Sequence, residues 1–166
     1  MRLIKLVPIV GFCAVSVLPV SATADHHAVE INVKINIDKR IINAESNMCL
    51  DATSEGGFVQ QSKCDKSKKA QLWTLQGSQI VNGYWKNQCL DIYVVEGYPL
   101  LNTVQTSACN FSLGAQQWEI EKSGEIQNDY TGQCLAAPGK RDLGPVKALR
   151  CKGHGGFEVW KVVDAK

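Results

Sequence analysis

The chain has 166 residues, 45% hydrophobic and 20% charged, with 18 basic side chains against 16 acidic. That composition is globular and excludes disordered and fibrous classes. In chain order, Arg2 and Lys5 precede an apolar run over residues 6–20, which ends at the small-residue triplet Ala22-Thr23-Ala24. The pattern predicts a cleaved secretory signal over residues 1–24. The run is short and broken by Pro8 and Pro19, which argues against a retained anchor, and bulky Phe12 before Cys13 argues against lipoprotein processing. Arg2 and Lys5 leave with the signal and no acidic residue does, so a mature chain of 142 residues has a formal net charge of zero instead of +2. That balance argues against nucleic-acid binding by bulk electrostatics. No later apolar stretch is long enough to span a bilayer. Cys13 is removed as well, leaving Cys49, Cys64, Cys89, Cys109, Cys134 and Cys151. An even count in an exported chain predicts disulfides, and an extracellular or periplasmic destination.

Residues 25–40 form an N-terminal extension. Its start, Asp25-His26-His27, would present a free amine with histidine third, a square-planar nitrogen set for Cu(II) or Ni(II); a solvated tail is the simpler reading. Beyond it, Val29, Ile31, Val33, Ile35 and Ile37 alternate with Glu30, Asn32, Lys34, Asn36 and Asp38. That period of two predicts a half-buried strand, expected to pair with the C-terminal run of residues 158–163.

From Ile41 onward the chain repeats. Trp73, Trp118 and Trp160 each lie nine residues after Cys64, Cys109 and Cys151, while Val59, Val104 and Val146 lie five before them. The first cysteine of each pair opens Cys49-Leu50-Asp51, Cys89-Leu90-Asp91 or Cys134-Leu135-Ala136. Upstream stands Ile41-Ile42-Asn43, Ile80-Val81-Asn82 or Ile126-Gln127-Asn128. Three copies result, over residues 41–79, 80–125 and 126–166. Each consists of short β-branched or aromatic runs punctuated by Gly, Asn, Asp and Ser, which predicts about four strands and no long helix. A unit this small cannot bury its apolar face alone, so three must share a core in a closed all-β barrel with a pseudo-threefold axis. Among the fifteen pairings open to six cysteines, the economical one repeats a local staple: Cys49–Cys64, Cys89–Cys109 and Cys134–Cys151.

These motifs resemble the ricin-type lectins, β-trefoils whose three copies carry Cys-Leu-Asp and Gln-x-Trp. The matches are Cys49-Leu50-Asp51 with Gln71-Leu72-Trp73, and Cys89-Leu90-Asp91 with Gln116-Gln117-Trp118. The resemblance implies a carbohydrate-binding module in which Asp51 and Asp91 accept hydrogen bonds from sugar hydroxyls. Gln60 and Gln105 would add a polar contact, and Gln71 and Gln116 would orient the aspartates as much as touch sugar. The third copy departs, with Ala136, Lys147, Phe157 and Glu158 at the corresponding positions, and reads as degenerate. Copies one and two also lack the family's frequent aromatic two residues before the second cysteine. Ser62 and Ser107 stand there, and Leu149 in copy three, while Ala70 and Ala115 replace an asparagine before Gln-x-Trp. Replacement aromatics are sought between the paired cysteines, in Phe58, Tyr93 and Tyr98.

Little points to catalysis. His26, His27 and His154 have no nucleophile or carboxylate at a recognisable spacing, bridged cysteines leave no thiol, and aspartates in different copies are expected too far apart for glycoside hydrolysis. No catalytic residue, metal or cofactor is assigned. Lys63, Lys66, Lys68 and Lys69 make a basic loop that reads as a solubilising surface, or as a contact for a sulfated or phosphorylated glycan. Asn110-Phe111-Ser112 is an N-glycosylation sequon crowded by Cys109. The expectation is a secreted lectin with sites in copies one and two, acting on cell-surface or polysaccharide glycans. The alternative is a protein-binding trefoil: an inhibitor, or a cell-binding subunit of a multichain toxin that pairs with a second exported chain.

Overall fold

The structure is a computed structural model that describes residues 38–95, 98–152 and 156–165; for residues 94, 95 and 98–101 it describes the backbone alone. The predicted signal, the Asp25-His26-His27 tail, the alternating run of residues 29–37 and His154 lie outside the described residues. No helix among the described residues is long and apolar enough to cross a membrane.

Each copy runs as a series of short strands. Copy one gives β1 (Lys39–Asn43), β2 (Cys49–Ala52), β3 (Val59–Ser62) and β4 (Trp73–Gln76). Copy two gives β5 (Gln79–Asn82), β6 (Gln88–Val95), β7 (Tyr98–Ala108) and β8 (Trp118–Ile120). In copy three the third strand is split, giving β9 (Ile126–Asn128), β10 (Gln133–Ala136), β11 (Gly144–Pro145), β12 (Lys147–Arg150) and β13 (Trp160–Asp164). Pro145 has no N–H to donate, which suits it to a break between two ladder segments. The helical structure described consists of two 3-10 turns, Lys69–Gln71 and Gly114–Gln116.

The Ile-x-Asn signal owes its recurrence to turn chemistry. Asn43 Oδ1 accepts from the backbone N–H groups of Glu45 and Ser46, Asn82 Oδ1 from Tyr84 and Trp85, and Asn128 Oδ1 from Tyr130 and Thr131. The amide ends reach back across the barrel: Asn82 Nδ2 donates to the Ala70 carbonyl at 3.0 Å and Asn43 Nδ2 to that of Phe157 at 2.8 Å. Each turn then passes through a left-handed residue two positions before the first cysteine, Asn47 (φ 57°), Asn87 (φ 58°) and Gly132 (φ 65°). Asparagine and glycine tolerate that region best, so these positions carry those residues.

All strand pairs are antiparallel. A six-stranded ring closes through β1–β4, β4–β5, β8–β9 and β1–β13 pairing, with the two remaining joints made by Trp118 N–H to the Ser78 carbonyl and Trp160 N–H to that of Gly124, both at 2.8 Å. The described C-terminal strand therefore pairs with β1, Lys39 opposite Asp164 and Asn43 opposite Trp160. The remaining strands form three hairpins, β2–β3, β6–β7 and β10–β12, tied to one another in a cycle by Phe58 with Gln105, Thr103 with Lys147, and Pro145 with Gln60. At the base of each hairpin a disulfide joins Cys49 to Cys64, Cys89 to Cys109, and Cys134 to Cys151. Trp73, Trp118 and Trp160 enter a single core with the Ile41, Ile80 and Ile126 set and the Val59, Val104 and Val146 set. Their indole N–H groups donate to the carbonyls of Leu50 (3.0 Å), Leu90 (2.9 Å) and Leu135 (2.8 Å), so each buried ring is both packed and hydrogen-bonded.

Candidate functional site

Asp51 sits on β2 opposite Gln60 on β3, and Asp91 on β6 opposite Gln105 on β7. Alternation along each strand sends Leu50 and Leu90 to the core and turns the aspartates the other way. In copy one, Asp51 Oδ2 accepts from Ser62 Oγ at 2.6 Å, Gln60 Nε2 at 3.3 Å and Lys68 Nζ. Ser62 Oγ in turn accepts from Gln71 Nε2 at 2.8 Å. Gln71 is fully buried and spends both ends on protein: its Nε2 also donates to the Lys63 carbonyl, and its Oε1 accepts from Arg40 and from the Asp65 N–H. It orients Asp51 through a serine and is closed off from solvent.

Copy two repeats the aspartate–serine–glutamine link, with Gln79 in place of Arg40 and Leu113 in place of Lys68. Asp91 Oδ2 accepts from Ser107 Oγ and from Gln116 Nε2 at 3.3 Å, while Gln116 Nε2 donates to Ser107 Oγ at 2.7 Å. Gln116 Oε1 accepts from Gln79 Nε2 at 3.1 Å, and Gln79 occupies the place that Arg40 holds in copy one. Gln105 is half-buried across from Asp91. Copy three has Ala136, Leu149 and Glu158 where the others have aspartate, serine and glutamine. Ser62 and Ser107, noticed in the sequence only as lost aromatics, are thus the hydroxyls that link aspartate to glutamine.

The surroundings of the two aspartates differ. In copy one, a cleft of about 540 Å³ is lined by Ala52, Thr53, Gln60, Ser67, Lys68, Lys69, Ala70, Tyr84 and Trp85. Gln60 and Lys68, which both bond Asp51, form part of its wall. Asp51 itself has no exposed side-chain surface, whereas the Lys68 side chain is 41% exposed. Two polar atoms beside the cleft are buried without a protein partner, Asp51 Oδ1 and the Trp85 indole N–H. The adjoining Asp65 carboxyl is held below its ordinary range by the hydroxyl and N–H of Ser67, so the loop keeps this negative charge among its lysines.

The aromatics of the cleft come from outside the segments between paired cysteines. Tyr84 and Trp85 follow Asn82 in the next copy, edge to face with ring centroids 4.6 Å apart, and Tyr84 is half exposed. The signal was present as Asn82-Gly83-Tyr84 and Asn128-Asp129-Tyr130. Tyr130 lies so close over the 3-10 turn of copy two that a Cβ on Gly114 would stand 2.7 Å from its own, which explains glycine there. Of the aromatics named earlier, Phe58 lines a different cavity of about 400 Å³ with Val59, Val104 and Val146. Tyr93 is an exposed residue within β6, and the Tyr98 side chain is not described.

The description "Ricin-type beta-trefoil lectin domain" fits residues 23–97 and again residues 95–166. No curated protein sequence matches the chain. Among solved structures, a non-toxic homologue of type II RIPs from Momordica charantia (bitter gourd), in complex with alpha-methyl-D-galactoside, is 22% identical, with a TM-score of 0.67. The match covers 77% of this chain and 48% of that one, so the chain spans about half the length of that relative. The beta-trefoil lectin of the Vibrio vulnificus hemolysin/cytolysin, with N-acetyl-D-lactosamine bound, is 16% identical over 80% of this chain and 97% of that one, TM-score 0.63. The C-half of an earthworm R-type lectin, in complex with GalNAc, is 13% identical over 77% and 98%, TM-score 0.66. At these identities the likeness is one of fold.

Proposed function

The chain belongs to the ricin-type beta-trefoil lectin domain family, and from that premise we propose that it is a secreted, non-enzymatic carbohydrate-binding module with sites at Asp51 and Asp91. The observation that carries this reading is the copy-one cleft, whose lining joins the polar side chains of Gln60, Thr53 and Ser67 to the half-exposed aromatic ring of Tyr84. Hydroxyl-rich, one-sidedly apolar ligands need that combination. Relatives of this fold hold galactoside, N-acetyl-D-lactosamine and GalNAc. Three disulfides suit an oxidising compartment outside the cytoplasm. Two such sites on one chain gain strength on a multivalent surface. No metal or cofactor enters the proposal.

The test is a broad glycan array probed with the oxidised chain of residues 25–166 and with an Asp51→Ala, Asp91→Ala double variant whose near-ultraviolet circular dichroism matches the parent. Binding by the parent that vanishes in the variant is expected; silence from the folded parent overturns the proposal. A second reading, a trefoil that binds protein, draws on the β6–β7 hairpin, whose strands of 8 and 11 residues outrun the 4 and 4 of β2–β3 and leave Tyr93 exposed. Binding to a partner protein that persists in the double variant favours that reading.

A further inference from the structure

We infer that the copy-one cleft selects sugars carrying an anionic group, whether sulfate, phosphate or carboxylate, through Lys68 and Lys69, while the copy-two site takes neutral sugar. The inference rests on the lectin reading and names the ligand class of one of its two sites. Its basis is a difference between two otherwise parallel constellations. In copy one the Asp51 carboxylate is fully buried and its charge is matched by Lys68 Nζ, so the cleft presents an ammonium where a bare carboxylate is expected. An ammonium has three donors, and one of them is held by Asp51. The aspartate therefore fixes Lys68 in the wall of the cleft and leaves two donors to spend on a ligand. Lys69, exposed on the same wall and without an ion pair among the described residues, adds a second positive charge, and between Lys63 and Lys69 four lysines outnumber one aspartate. Gln60, whose amide spends one hydrogen on Asp51, has a second to give on the same wall, while the Thr53 and Ser67 hydroxyls, donating to the Phe58 carbonyl and to Asp65, can accept from ring hydroxyls.

Copy two has the same backbone without the charge. Leu113 occupies the position of Lys68, preceding the 3-10 turn in both copies, and Gly114 occupies that of Lys69. Leu113 is 45% exposed and Tyr130, which lies over Gly114, is exposed as well, so the surface of this turn is apolar and aromatic. Asp91 keeps its serine and glutamine but has no cation among its hydrogen-bond partners. A neutral sugar stacks and hydrogen-bonds there, and an anionic one meets the uncompensated carboxylate.

The experiment uses the oxidised chain of residues 25–166 on an array of matched pairs: galactose against galacturonic acid, galactose 6-sulfate and galactose 6-phosphate, and N-acetylglucosamine against its 6-sulfate. Lys68→Gln and Lys69→Gln variants run beside the parent, at low and high salt. The parent is expected to favour the acidic partner of a pair by about tenfold, the worth of one charge-assisted hydrogen bond. That preference falls as salt rises and is lost in Lys68→Gln, while neutral binding through copy two stays as it was. Lys69→Gln, on the surface and outside the Asp51 bonds, weakens the preference several-fold and decides the matter if Lys68→Gln does not fold. Whether the sulfate, phosphate or carboxylate arm responds names the anion. Equal binding of acidic and neutral partners by the parent, or a preference unchanged in both variants, overturns the inference and leaves the lectin reading standing. No binding to any sugar overturns both.

Discussion

Asn82 shows how much one polar side chain carries in this chain. Its oxygen satisfies the N–H groups of Tyr84 and Trp85, and its amide bonds the Ala70 carbonyl beneath the cleft, all in a site that is 3% exposed. Alanine would leave two donors and an acceptor without partners, a loss of about 2–3 kcal/mol. We expect Asn82→Ala to lower the denaturation midpoint accordingly and to weaken copy-one sugar binding, because Tyr84 and Trp85 hang on the turn it closes. Loss of stability with copy-one binding intact would place the aromatics outside the site. The role of Ser62 is of the same kind. It is 4% exposed, too enclosed to host a stacking platform, and its hydroxyl stands between Gln71 and Asp51.

The hairpins are the elements that carry the sites, and each is clamped at its base by a disulfide. The β10–β12 hairpin has lost the aspartate, serine and glutamine yet keeps its staple and its full register from Gln133 opposite Arg150 to Ala136 opposite Lys147. Its retention is structural: Gln61 of copy one, fully buried, donates to the Gly139 carbonyl at 2.9 Å, and β11 pairs with β3. A Cys134→Ala, Cys151→Ala pair removes a closed loop with a sequence separation of 17, so we expect about 3 kcal/mol less stability in the chain-entropy account. Urea melts measure the loss, and glycan binding through copies one and two at low denaturant should be unchanged. Loss of that binding in the still-folded variant would assign copy three a part in recognition.

On the scale of the whole molecule, the ring of six strands leaves no copy able to fold alone. Trp160 of copy three bonds copy two through Gly124, Trp118 of copy two bonds copy one through Ser78, and β13 returns to β1. Unfolding is therefore expected as one cooperative step, with tryptophan fluorescence and far-ultraviolet circular dichroism changing at the same denaturant concentration. Separate transitions would mean that the copies are autonomous. The threefold all-β barrel and the pairing of Cys49, Cys89 and Cys134 with their partners were legible in the sequence by itself. Buried apolar residues, turn asparagines and local staples must recur at fixed spacing whenever the same unit is built three times. The polar wiring around Asp51 was decided only by the tertiary structure. Lys68 reaches it from 17 positions away, Arg40 braces Gln71 from 31 positions away, and Tyr84 arrives from the next copy. Periodicity records which side chains are buried, but which donor meets which acceptor depends on how hairpins from successive copies close on one another.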